Sequence, residues 1–289
     1  MLYRRLPQLD HDLSVLGLGG VALARRPQDE CKEEVAHAID QGITYFDVAP
    51  QYSNAQELMG PALQPYRQDV FLACKTLERT AEGSAKELDD SLTKLRTDHF
   101  DLYQLHSLKS VEETEQALGP GGAIETLLHA RDQGKVRLIG ASCHDEDAAL
   151  LCASSGLFAT IMLPLNYASF TAGDFGPRLV AAAQEHGVCL IALKSMAKGK
   201  LLKGWDNRTY DKCWYEAADT PDLAELQLRY ALHLPGVVAT LPPGEPKLMR
   251  LAFDLANASD LGPLSDAELQ ALADEYANPA SPPLFPQTD

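Results

Sequence analysis

Positive charge is scarce in this sequence. Lys and Arg number 25 against 41 Asp and Glu, for a formal net charge of −16. A field of that sign repels phosphate backbones and anionic membrane surfaces, which argues against nucleic acid or membrane partners. An anionic small molecule would need a local cluster of Lys, Arg and backbone N–H groups. Cysteine is also sparse. Cys31, Cys74, Cys143, Cys152, Cys189 and Cys213 form no C-x-x-C pair. Several lie in apolar runs, where cysteine behaves as a small hydrophobe, so a reducing compartment without a disulfide framework is expected. No apolar stretch approaches the length of a membrane span. Met1–Leu9 has no apolar stretch long enough for a signal peptide. The cytoplasm is the expected location.

What is present is a repeated alternation. With 45% hydrophobic and 23% charged residues, the chain can bury a full core. Short runs rich in Val, Ile, Leu, Phe or Tyr occur at Leu13–Leu18, Thr44–Val48, Val70–Lys75, Phe100–His106, Val136–Ser142, Thr160–Leu165, Val188–Lys194 and Val237–Leu241. Continuous apolar runs suit parallel strands buried on both faces. Between them, Asp29–Gln41, Gly83–Leu95, Ile124–Gln133, Asp145–Ser154, Pro177–His186 and Pro221–Leu234 carry apolar residues at helical spacing. Gly42, Gly134 and Gly187 close helices where a left-handed residue is needed. The pattern predicts an α/β protein built as a single (β/α)8 barrel over residues 1–289. An open doubly wound sheet is the runner-up, but Gly17, Gly19 and Gly20 do not make the G-x-G-x-x-G that usually supports it. Two additions stand out: a long loop, Lys198–Thr220, after the seventh run, and a proline-rich tail over 277–289 containing Phe285. Long loops at a barrel mouth often act as lids.

In such a barrel, chemistry sits at the C-terminal ends of the strands. Asp47 closes the second run, with Tyr52 in the loop beyond; Lys75 closes the third and His106 the fourth. Each alone has a plain structural reading: a turn residue, a snorkelling lysine, a hydrogen-bonded histidine. Their coincidence on three neighbouring strand ends suits proton transfer to a carbonyl oxygen. An ammonium stabilises a phenolate and lowers its pKa, a carboxylate keeps the ammonium charged, and an imidazole orients the oxygen. No metal is required. A metal-dependent hydrolase would need more His and carboxylate ligands than His106 and His144 provide.

These residues lie in recognisable company. Gly42-Ile-Thr-Tyr-Phe-Asp47-Val-Ala-Pro-Gln-Tyr52, Phe71-Leu-Ala-Cys-Lys75-Thr, Asp101-Leu-Tyr-Gln-Leu-His106 and Gly134-Lys-Val-Arg-Leu-Ile-Gly140-Ala-Ser142 resemble, in order, the signatures of the aldo-keto reductase superfamily. The resemblance extends to about Asp254. It implies a TIM barrel that exchanges hydride between a nicotinamide cofactor and a small carbonyl or alcohol substrate, with Asp47, Tyr52, Lys75 and His106 as its catalytic tetrad. The cofactor side departs from the family pattern. Ser142 is kept, but Cys143 replaces the usual Asn, leaving His144 as a candidate. Met162 holds the place of a glutamine, with Asn166 as a substitute. Leu193 replaces an aromatic, and Lys194, Ser195 and Lys198 are candidates for the pyrophosphate. Gly244, Lys247 and Arg250 fall where the family grips an adenosine 2′-phosphate, so NADP(H) is favoured and NAD(H) stays open. The altered nicotinamide shell motivates a second reading, a cofactor-sensing regulatory protein with little or no turnover.

Overall fold

The computed structural model describes residues 1–9, 11–259, 261–277 and 279–286. The chain begins with an antiparallel hairpin, β1 (Tyr3–Leu6) and β2 (His11–Ser14). Barrel strands follow as β3 (Gly17–Gly19), β4 (Tyr45–Asp47), β5 (Phe71–Thr76), β6 (Phe100–Leu108), β7 (Val136–Cys143), β8 (Thr160–Pro164) and β9 (Cys189–Leu193). A short antiparallel pair, β10 (Ala197–Gly199) and β11 (Glu216–Ala217), precedes the last barrel strand, β12 (Val237–Leu241). The eight barrel strands pair in parallel from β3 through β9 to β12. The ring closes where Leu16 bridges Thr240 and the Thr240 N–H donates to the Val15 carbonyl at 2.8 Å.

Helices clothe the barrel: α1 (Gln28–Asp40), α2 (Ala55–Leu63), α3 (Ala81–Leu95), α4 (Val111–Leu118), α5 (Ala123–Asp132), α6 (Glu146–Ser154), α7 (Tyr167–Thr171), α8 (Pro177–His186), α9 (Pro221–Leu232), α10 (Pro246–Ala258) and α11 (Asp266–Tyr276). Their starts are chemically marked. Thr80, Ser110 and Asp145 cap α3, α4 and α6 by accepting from backbone N–H groups three residues on. Prolines open α8, α9 and α10, where a missing N–H costs nothing. Gly42, Gly134 and Gly187 hold φ of 83°, 75° and 67°, the left-handed geometry expected of them.

Period-two alternation splits the core in two. Tyr45, Phe71, Leu102, Met162 and Ile191 fill the barrel interior. Phe46, Leu72, Tyr103 and Ile139 face outward onto the helices. One expectation is corrected: Leu13–Leu18 is not a single strand. Ser14 turns the chain, donating to the Leu16 carbonyl at 2.6 Å and accepting from the N–H groups of Thr44 and Tyr45. Leu13 therefore belongs to the hairpin. It joins Leu6 in plugging the N-terminal end of the barrel interior. Arg4 fixes the plug by donating to the carbonyls of Leu232 and Val237.

At the opposite end, the long loop after β9 crosses the mouth. The Lys212 ammonium ties it to the carbonyls of Ala22 and Ala24 at 2.9 and 2.8 Å. The described part of the tail packs beside this loop. The Lys200 N–H donates to Pro282 at 3.0 Å, and the Phe285 N–H donates to the Ser169 hydroxyl at 3.2 Å. Phe285 is fully buried and stacks on Phe175 at 5.1 Å. Asn278 and residues 287–289 of the expected tail lie outside the described residues. Among the described residues, no helix is long and apolar enough to cross a membrane.

Candidate active site

The alternation that sends Tyr45, Phe71 and Leu102 inward also sends Asp47, Lys75, Gln104 and His106 inward, two or four residues later at the C-terminal rim. Asp47 and Lys75 are each only 1% exposed and form an ion pair. The second Asp47 oxygen accepts from the Tyr45 hydroxyl at 3.3 Å and the Gln104 amide at 3.2 Å. Burial alone would pull the Lys75 pKa down. The negative charge of Asp47 and the nearby Tyr52 oxygen outweigh it, so the ammonium is held above its ordinary range.

Lys75 Nζ lies 5.5 Å from the centroid of the Tyr52 ring, and that ring meets His106 edge-on at 5.7 Å. The sequence led us to expect a phenol below its ordinary pKa. Instead burial raises Tyr52 and the Asp47 charge adds to the rise, while Lys75 opposes both. Tyr52 is therefore fully protonated at neutral pH, a proton donor with a cation waiting for its conjugate base. His106 is pushed well down by burial and then by Lys75, so its imidazole is neutral. Its Nδ1 faces Gln51 Oε1 at 3.0 Å, and Gln51 is oriented by donating to Glu87 at 2.9 Å. Nδ1 thus carries the proton and Nε2 keeps its lone pair.

A cavity of about 330 Å³ opens beside this group. Asp47, Tyr52, His106, Ser142, His144, Leu193, Lys194 and Gly244 all line it. Met162 and Leu241 add apolar wall, and Lys212 adds a second cation. Lys194 Nζ lies 3.2 Å from His144 Nε2 and 5.2 Å from the Phe285 ring centroid. Burial lowers its pKa to about 8. The backbone is left-handed at Lys194, as it is at Arg25, Ser53 and Ser107 around the same rim; such conformations cost roughly 1–3 kcal/mol and cluster at functional sites.

Other expected site residues do not join this lining. Asn166 caps α7, its oxygen accepting from Ser169 N–H at 2.9 Å. Its amide nitrogen is buried without a partner among the described residues. Ser195 is buried and accepts from Thr240 Oγ1 at 2.8 Å. Lys198 pairs with Glu275 at 3.3 Å. Lys247 stands exposed in the first turn of α10. One turn on, Arg250 closes its fork on the buried Glu34 carboxylate at 2.9 and 3.0 Å, and Arg26 reaches the same carboxylate at 2.9 Å. Sequence reasoning missed Gln51, Lys212 and Glu34, which sit in loops or on a helix without a diagnostic spacing. It also missed Tyr45 and Gln104, although each lies two residues before a chosen one on the same strand face.

Fold and rim together define a closed parallel barrel with a buried Lys75–Asp47 pair, a phenol and an imidazole gathered at its C-terminal mouth. The comparisons carry the definition further. The model of the aldo/keto reductase family matches residues 15–276, and the chain belongs to that family. An uncharacterized oxidoreductase of Bacillus subtilis is 25% identical over 305 residues, covering 94% of this chain and 95% of the relative. The holo form of an aldo-keto reductase from Bacillus halodurans superposes with a TM-score of 0.74 at 21% identity, covering 99% of each chain. An aldo/keto reductase of Klebsiella pneumoniae, solved in complex with NADP and acetate, gives 0.72 at 21% identity, covering 97% of this chain and 98% of that one.

Proposed function

We propose that this chain is an NADP(H)-dependent oxidoreductase that interconverts an aldehyde or ketone with its alcohol, with Tyr52 as the acid–base. The observation that carries the reading is the buried Lys75–Asp47 pair set against Tyr52 at the edge of a cavity. The cavity suits the cofactor. The apolar side chains of Leu193, Met162 and Leu241 offer a wall for a flat ring, and a Cβ built on Gly19 would meet nothing within 4 Å. Lys194 and Lys212 offer charge to phosphates. Lys247 and Arg250 would face a 2′-phosphate, and the NADP in the Klebsiella structure supports the same choice. Because Glu34 already engages Arg250, NAD(H) is the alternative to be measured.

When bound, the cofactor supplies the hydride. The rest falls to this chain. Tyr52 gives its proton to the substrate oxygen in reduction and recovers it in oxidation. Lys75 stabilises the phenolate left behind, and Asp47, held by Tyr45 and Gln104, keeps Lys75 charged and in place. His106 offers its Nε2 lone pair to the alcohol's hydroxyl while Tyr52 is protonated and donates to that oxygen; once Tyr52 is the phenolate, the hydroxyl's one hydrogen turns to it.

The test is turnover of an aldehyde and ketone panel, followed through loss of reduced-nicotinamide absorbance. Tyr52→Phe should lose about a thousandfold in kcat while its affinity for NADPH is preserved. An unchanged rate would overturn the reading. Tight NADPH binding by the unaltered chain without turnover of any carbonyl or alcohol would instead favour a cofactor-sensing role.

A further inference from the structure

A second cavity, of about 720 Å³, adjoins the first at Tyr52, Val21, Lys212 and Trp214. Its charge runs against the rest of the molecule. Among the described residues, four cations, Arg25, Arg26, Arg208 and Lys212, line it with a single carboxylate, Asp211, in a chain where acids outnumber bases 41 to 25.

The partners of these cations decide what is free to act. Arg26 is committed to Glu30 and Glu34 at 3.2 and 2.9 Å. Arg208 stacks over the Trp205 ring at 4.2 Å and donates to the backbone carbonyls of Trp205 and Asp211. The Asp211 carboxylate stands 3.8 Å from it and is 96% exposed, too wet to neutralise it fully. The Lys212 ammonium donates to the backbone carbonyls of Ala22 and Ala24 and forms no ion pair among the described residues, while its backbone N–H reaches the Glu245 carboxylate at 3.5 Å. The Arg25 guanidinium likewise forms no ion pair among the described residues, and its backbone is fixed by an N–H bond to Asn54 Oδ1 at 2.8 Å. The chain's two tryptophans both line this cavity. They remain 51% and 46% exposed, and apart from the Arg208 guanidinium over one face of Trp205 they leave a broad aromatic surface open to the cavity.

We infer that the substrate is an anionic carbonyl compound, its carbonyl at Tyr52, its body along Trp214 and Trp205, and a carboxylate or phosphate on Arg25 and Arg208, which line this cavity and not the cofactor's. The place of the carbonyl rests on the reductase reading above; the anion site stands without it. Guanidinium groups suit either anion because their N–H bonds pair with two oxygens at once.

Two measurements separate the claims. The first compares kcat/KM for para-carboxybenzaldehyde with that for its methyl ester, and for glyceraldehyde phosphate with that for glyceraldehyde. The anionic member of at least one pair should be favoured by about tenfold or more, and Arg25→Gln should collapse that ratio. The favoured pair tells carboxylate from phosphate. The second follows tryptophan emission, with and without NADP, during titration with benzoate, phenyl phosphate and neutral benzamide. Saturable quenching by an anion alone, weakened in Arg25→Gln, supports the site even where no carbonyl is turned over, in which case only the reductase reading fails. Equal rates for charged and neutral partners, with no anion-specific quenching, would overturn the inference. So would an Arg25→Gln variant that weakens NADPH binding and leaves the charged-to-neutral ratio intact.

Discussion

Lys194 and His144 face one another across the rim, and no carboxylate pairs with either among the described residues. Their titrations make opposite predictions. Lys194 has its pKa lowered to about 8 by burial, so it is charged below that pH and neutral above it. If it meets the cofactor's phosphates, the Kd for NADPH should rise as pH increases through about 8, and Lys194→Met should abolish the break; a cofactor titration series in pH reads this directly. His144 is pushed down to about 3 by burial and by Lys194. The folded state therefore resists a proton that the unfolded chain accepts near its ordinary value of about 6.5. Stability should be fully present above that value and fall as pH drops toward 3. His144→Leu should make the acid limb of a Tm-against-pH curve shallower. Lys75 belongs to a different class, because its charge is matched. Lys75→Met leaves Asp47 buried and unpaired, and should cost about 3–5 kcal/mol in urea denaturation as well as turnover.

Strands and helices were legible from the sequence in unequal measure. Val237–Leu241 and Pro177–His186 coincide with β12 and α8, since doubly buried strands read as unbroken apolar runs and a first-turn proline marks a helix start. α2 escaped because it carries Gly60 and Pro61 side by side. The glycine is there because a Cβ would come within 2.4 Å of the Lys94 carbonyl on α3, a tertiary demand that no local pattern reveals. Asp47, Lys75 and His106 were readable because strand ends sort polar residues onto one rim. The loop residues Gln51 and Lys212 were not, because loops have no period to read. The opening hairpin was hidden by a single turn at Ser14. Its role is testable: Leu6→Ala should cost about 2–5 kcal/mol, the range for a truncated buried leucine. It should leave kcat/KM unchanged, because Leu6 sits at the end of the barrel away from Tyr52.

Taken whole, the molecule sets a field of −16 against a cationic mouth. The two act over different distances. Repulsion from the wider surface is screened once the Debye length falls to about 10 Å near 0.1 M salt, whereas contacts with Lys194 or Lys212 are screened less. The association rate of NADPH, measured by stopped flow, should therefore rise as salt increases toward about 0.1 M. A steady fall from the lowest salt would mean that the mouth alone governs approach. The described ends of the chain also part company: Leu6 and Leu13 seal one opening of the barrel, while Phe285 is packed against His144 at the other. Anything fused ahead of Met1 hangs beneath the cylinder, whereas the last described residues, up to Pro286, lie at the mouth. Tethering this protein to a bead or electrode by its leading end would present every mouth to the solution.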